Sequence, residues 1–135
     1  MSDHRTCDTS VLVPALLSWH PAHEECRAAV VEVAVLPSHV FLETYSVLTR
    51  LPAPHRVAAR DAAAAIEALD LTGLTLPAGE SLALVTVLGR GGLGGGAVYD
   101  ALVAATARHH GHELLTRDRR ARATYDLVGV RYAMT

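Results

Sequence analysis

A chain of 135 residues, half of them hydrophobic and only 4% aromatic, holds one domain whose single core is built mainly from Ala, Val and Leu. Fourteen acidic against twelve basic residues give a net charge of −2, so no strong positive field announces a polyanionic partner. All twelve basic residues are arginine, which excludes a Walker lysine, a Schiff-base lysine and a phospho-receiver lysine.

The opening residues 1–8 are a poor strand by composition, yet they precede a helix start. Asp8, Thr9 and Ser10 offer three caps to a helix over the apolar run 11–17. Trp19-His20-Pro21 breaks the chain, and Pro21 opens a second helix with Glu24, Glu25 and Arg27 outward and Cys26, Ala29 and Val30 inward. Residues 33–36 predict a short buried strand closed by Pro37. Ser38 is the expected cap of a third helix, which carries Val40, Phe41, Tyr45, Leu48 and Leu51 at helical spacing and Glu43 in its middle. Pro52 and Pro54 separate it from an alanine-rich fourth helix over 55–69. A brief strand at 74–76 precedes Pro77, and Leu82, Val85 and Leu88 favour a helix over 78–88. After a glycine-rich loop at 89–96 come a helix opening at Ala97, a strand at Leu114, a helix from Asp118 to Leu127 and a terminal strand at 129–133. Strands alternating with helices place the chain in the α/β class, with a parallel sheet covered on both faces.

Cys7 and Cys26 form neither a redox pair nor a zinc spacing and read as thiols of a reducing compartment. No apolar run precedes Val11, so no signal peptide is expected, and the longest apolar stretch, 82–88, is far short of the roughly 20 residues that span a bilayer. The expectation is a cytoplasmic protein with no membrane partner.

Gly89-x-Gly91-x-x-Gly94 has the spacing of a dinucleotide fingerprint, but too few strands follow it to build a dinucleotide half, and a connector is the simpler reading. His109, His110 and His112 cluster at a helix end before Gly111, where imidazoles suit the helix dipole better than a zinc ion. No serine stands in a G-x-S-x-G elbow.

Four acids remain. Asp100 is the only acid between Glu80 and Glu113, and its neighbours one turn away are Ala97, Ala101 and Ala104, so its charge is costly unless something pairs with it. Asp118 lies where a strand gives way to a helix, at the sheet edge where α/β folds bind ligands. Asp8, Asp100 and Asp118 each admit a second explanation, as caps or dipole partners at helix starts. Glu43, in mid-helix, has no capping role. Glu24, Glu25, Asp61, Glu67 and Asp70 read as solvated helix-face charges. Were three acids to converge at one sheet edge with a fourth beside them, a divalent cation would be needed to neutralise them, and oxygen-only ligands select magnesium or manganese.

The segments Asp8-Thr9-Ser10-Val11-Leu12-Val13, Leu42-Glu43-Thr44-Tyr45, Tyr99-Asp100-Ala101-Leu102-Val103-Ala104-Ala105-Thr106-Ala107 and Leu115-Thr116-Arg117-Asp118 together resemble a PIN-domain ribonuclease, more narrowly a VapC-type toxin of a bacterial toxin–antitoxin pair. The resemblance covers nearly the whole chain, 1–135, as one nuclease domain. It implies a three-layer α/β/α sandwich with a small, mainly parallel sheet, a Mg2+- or Mn2+-dependent endoribonuclease activity on an RNA substrate, inhibition by a cognate antitoxin, and a homodimer. Carried over by position, Asp8, Glu43, Asp100 and Asp118 match the acidic quartet, with Asp8 and Asp100 as principal metal ligands and Ser10 and Thr116 as supporting polar residues. Arg117, Arg119, Arg120 and Arg122 are candidates for RNA-backbone contact, or else the polar face of the last helix. The family's first strand is usually apolar up to its aspartate, whereas this one reads His4-Arg5-Thr6-Cys7, so the resemblance implies either a short strand starting near Thr6 or a chain start that is not the natural one. The first two helices offer more apolar residues than a small sheet covers, and an antitoxin segment is expected there. Two other readings of the residues stay open: a non-cleaving RNA- or protein-binding module of the same fold, and a metal-dependent phosphohydrolase acting on DNA or a small molecule.

Overall fold

The computed structural model describes residues 4–135. Five short parallel strands carry the fold: β1 (Arg5–Cys7), β2 (Val35–Pro37), β3 (Thr72–Leu74), β4 (Glu113–Thr116) and β5 (Tyr132–Met134). β4 lies between β1 and β5, and β2 pairs with β3. The two sheets meet at β1 and β2, where the buried Thr6 hydroxyl donates to the Val35 carbonyl at 2.8 Å. Read across, the order is β3-β2-β1-β4-β5, so the strand order reverses at β1, next to β4.

This arrangement explains the polar first strand. Arg5 is in register with Glu113, and their side chains form an ion pair at 3.1 Å. Thr6 supplies the lateral tie to β2, and Cys7 is fully buried in the core. Each polar residue of β1 thus has a partner that an apolar one would leave unmet.

Helices α1 (Thr9–Leu16), α2 (His23–Val31), α3 (Ser38–Thr49) and α4 (Ala59–Glu67) pack on one another along one side. On the other, α6 (Ala97–His109) packs between α5 (Ala78–Gly91) and α7 (Arg122–Val128). The right-handed crossovers of parallel strands put the two groups on opposite faces, giving three layers. Val11, Leu12, Leu36, Val40, Ala104 and Leu114 are among the residues that fill the main core, and Leu17, Leu48 and Ala62 seal a smaller one between α1, α3 and α4.

Several boundaries differ from the sequence reading. Ser38 makes no capping bond; Pro37 occupies the cap position of α3. The fourth helix starts at Ala59, because residues 52–58 turn back so that Val57 N–H donates to the Leu48 carbonyl. Gly89 and Gly91 belong to α5, which ends at Gly92 with φ +70°; a Cβ at Gly91 would meet the end of the Leu127 side chain of α7, which would have to turn aside. The segment after Asp118 begins as a 3-10 turn (Arg119–Ala121) before α7. The apolar residues of α1 and α2 are mostly engaged in packing with each other and with α3; of the large hydrophobic residues there Trp19 and Val31 stay exposed, whereas α5 presents Leu82, Val85 and Val87. Among the described residues no helix is long and apolar enough to cross a membrane.

Candidate active site

Asp8 follows the last residue of β1, and its extended backbone lets it cap α1. Its side chain is 6% exposed. Oδ1 accepts from Ser10 N at 3.0 Å and from the Ser10 hydroxyl; Oδ2 accepts from the Thr116 hydroxyl and from Tyr125 OH at 2.6 Å. Ser10 and Thr116 each have one hydroxyl proton, and both protons go to Asp8. Their lone pairs then accept from the next strand end: Arg117 N–H donates to Ser10 Oγ at 2.7 Å and Asp118 N–H to Thr116 Oγ1 at 3.1 Å. The carboxyl ends of β1 and β4 are thereby laced together around one carboxylate. Burial pushes the Asp8 pKa up, against the pull of its hydrogen-bond donors.

Asp118 accepts from Arg120 N at 3.0 Å and so caps the 3-10 turn; the Arg120 guanidinium, 3.5 Å away, is almost fully exposed and adds little. Asp100 behaves otherwise. It lies in the first turn of α6, whose N-cap is Gly96, and it accepts no hydrogen bond among the described residues. Glu43 is held in mid-helix by Thr9 Oγ1 at 3.3 Å and by His39 Nε2, one turn before it, at 3.6 Å. His39 in turn stacks on Tyr99, centroids 5.2 Å apart, which ties α3 to the start of α6.

All four acids line one open cavity of about 410 Å3, together with Ser10, His20, Arg117, Arg120 and Tyr125. Asp100 registers the crowding. Desolvation, then the charges of Asp118, Glu43 and Asp8, push its pKa up to about 6, while Arg120 opposes the shift. Arg119 and Arg122 are exposed and do not line the cavity. A second cavity, about 330 Å3 between α5, α6 and α7, has Glu80, Arg108 and His109 among mostly apolar walls and gathers no acid cluster.

The PIN domain profile matches residues 6–127. The chain belongs to the PIN-domain family. It is 46% identical over 128 residues to "Ribonuclease VapC27" of Mycobacterium tuberculosis (strain ATCC 25618 / H37Rv), covering 91% of this chain and 90% of that protein. To "Ribonuclease VapC40" of Mycobacterium tuberculosis (strain CDC 1551 / Oshkosh) it is 44% identical over 126 residues, covering 91% and 92%. The fold matches the crystal structure of PAE2754 from Pyrobaculum aerophilum with a TM-score of 0.63 at 21% identity, over 96% of this chain and 90% of that one.

In this PIN domain, no three His, Cys, Asp or Glu side chains among the described residues stand close enough to form a ready-made metal cage. The donor chemistry fits a hydrated hard cation instead. Carboxylates are the only anionic groups on the cavity wall, the two oxygens of Asp100 have no competing donor, and magnesium keeps several waters and takes only one or two carboxylates.

Tyr125 escapes a reading of the sequence, because an aromatic residue among Ala121, Thr124 and Val128 looks like core, and it is indeed only 1% exposed. His39 does carry a signal, four residues before Glu43 on one helix face. Tyr125→Phe is expected to destabilise the fold by about 1–3 kcal/mol, since it removes a donor to a buried carboxylate while keeping the ring. Urea denaturation checks this; an unchanged midpoint would mean that the hydroxyl bond carries no net stability.

Proposed function

We propose that this PIN domain is a metal-dependent endoribonuclease, the toxin of a type II toxin–antitoxin pair, held inactive by a cognate antitoxin. One observation carries the reading: four carboxylates from β1, α3, α6 and the end of β4 face one cavity at the point where the strand order reverses. The ribonuclease names of relatives at 44–46% identity support it. A binding module for RNA would gain nothing from such a pocket, because it repels phosphate.

Asp8 and Asp100 would hold Mg2+ or Mn2+, directly or through water. A bound ion supplies charge neutralisation at the scissile phosphate and lowers the pKa of an attacking water. Ser10 and Thr116 fix the Asp8 carboxylate, and their own acceptors lock Arg117 and Asp118 in place. Glu43, steadied by Thr9 and His39, and Asp118 orient the water and take its proton, so that displacement runs in line with the departing oxygen. Arg117 and Arg120, which line the cavity, face the RNA backbone.

The same reading includes action in the cytoplasm, which suits the two free cysteines. It also includes a homodimer, for which the exposed Leu82 and Val85 of α5 offer an apolar face. The antitoxin would close the cavity with a basic side chain in the place of the ion.

The test is cleavage of end-labelled single-stranded RNA by the purified chain. Cleavage should require Mg2+ or Mn2+, stop with excess chelator, and be lost in Asp100→Asn. Undiminished cleavage in chelator would overturn the metal-dependent mechanism. Cleavage of duplex DNA with RNA left intact would move the activity to the phosphohydrolase alternative.

A further inference from the structure

The cavity wall is not acidic all round. On the side of the loop between α1 and α2 stand His20 and Arg117, and just outside the lining, beside His20, is Trp19, the single tryptophan of the chain. Trp19 is 48% exposed, yet it is not loose: its ring stacks on His55 with centroids 4.0 Å apart and planes 28° apart, and lies 5.8 Å from the His20 ring. A large ring held in place with about half its surface open is already ordered for a partner.

The neighbouring polar groups have unused donors. His20 Nδ1 accepts from Ala22 N at 3.0 Å, so the neutral ring carries its proton on Nε2. Arg117 has its backbone fixed by Ser10, while its Nε is buried and finds no acceptor among the described residues. A buried N–H without an acceptor is costly, and Arg117 also lines the cavity, so its charge is presented to an anion bound there.

We propose that Trp19, His20 and Arg117 form a nucleotide subsite beside the scissile bond, in which Trp19 stacks an unpaired base and His20 and Arg117 hold a phosphate attached to that nucleotide. The proposal rests on the ribonuclease reading above and adds to it the form of the substrate. The ring and the two donors are met together by a nucleotide. An apolar peptide segment over the same surface would cover the tryptophan and leave the Arg117 and His20 donors unmet. A paired base is excluded, since its face is already stacked within the helix.

The experiment uses the full chain with metal chelated, so that RNA binds without being cut, and reads Trp19 fluorescence alongside the anisotropy of a labelled single-stranded oligoribonucleotide. Saturable quenching by the single strand, with little by the same strand annealed to its complement, is the expected result. Trp19→Ala should weaken affinity about ten-fold while Trp19→Phe keeps most of it, because stacking needs a ring and not an indole. Arg117→Gln should weaken binding and reduce its salt dependence by about one phosphate contact. With metal restored, Trp19→Ala should raise KM and leave kcat nearly unchanged. Binding of RNA with fluorescence and Trp19→Ala affinity both unchanged would overturn the subsite while leaving the nuclease assignment intact. Quenching by an amphipathic peptide but not by RNA would give the surface to a protein partner and overturn it as well. A wild-type chain that neither binds nor cuts RNA would remove the ribonuclease reading itself.

Discussion

Asp8→Asn is expected to lower RNA cleavage by at least about a hundred-fold and to abolish any growth arrest caused by expressing the chain without a partner. The carboxylate accepts from Ser10, Thr116 and Tyr125, and under the proposed mechanism it supplies a charge that a bound cation would need. The substitution also has a structural cost that can be foreseen. With its oxygen toward the Ser10 donors, the new side-chain amide would point its NH2 at Thr116 and Tyr125, both of which now donate to Oδ2. The Thr116 and Tyr125 hydroxyls would have to turn or go unpaired, for a loss on the order of 1–3 kcal/mol, offset in part by relief of a buried charge. Activity should therefore be compared at a temperature where circular dichroism finds both proteins folded. Equal toxicity of the folded variant and the wild type would rule out carboxylate-dependent cleavage as the cause.

Asp100→Asn is the cleaner variant, because among the described residues Asp100 accepts no hydrogen bond that the amide would spoil. Its carboxyl has a folded pKa of about 6 against an ordinary value of 3.8, so the folded state binds the proton more tightly than the unfolded one. The contribution to stability is full below about pH 3.8, shrinks as pH rises through the interval to about 6, and is gone above it. For a half-exposed carboxyl, solvent screening holds the effect to the order of 1 kcal/mol. At neutral pH in chelator, Asp100→Asn should thus be at least as stable as wild type, and the stability loss across that same pH interval should be smaller in the variant. Excess magnesium should raise the Tm of wild type and raise that of the variant less. If Asp100 serves only the α6 dipole, the variant should instead lose a few tenths to about 1 kcal/mol with or without the ion. Thermal melts across this pH range, with chelator and with magnesium, separate the two.

What is legible in the sequence follows from how each residue signals. Asp118 stands where an apolar strand gives way to a turn and helix, and Asp8 at the cap of the first helix, and that punctuation is local. Glu43 stands out by elimination, since a mid-helix acid has no capping use, and Asp100 by its alanine surroundings. The capping explanation coexists with the cavity at Asp8 and Asp118, which do both, and has no bond to support it at Asp100. The limits of β2 and β3 are displaced by one or two residues from those expected, because three-residue strands are too short for any periodicity to register. Thr6 and Tyr125 are out of reach for another reason. Their roles lie in bonds to Val35 and Asp8, which are 29 and 117 residues away in the chain.

That last separation sets the point in synthesis at which the cavity can assemble. Asp8 leaves the ribosome well before the partners of its Oδ2: the Thr116 hydroxyl follows it by 108 residues and the Tyr125 hydroxyl by 117. Contacts between distant parts of a chain form late, and during synthesis they cannot form at all until both parts exist. A nascent chain that ends before β4 has its first carboxylate held by Ser10 alone, with nothing on Oδ2, and it lacks Asp118. A cavity that joins all four acids therefore closes only once Asp118 and Tyr125 have been made, and a shorter nascent chain lacks it.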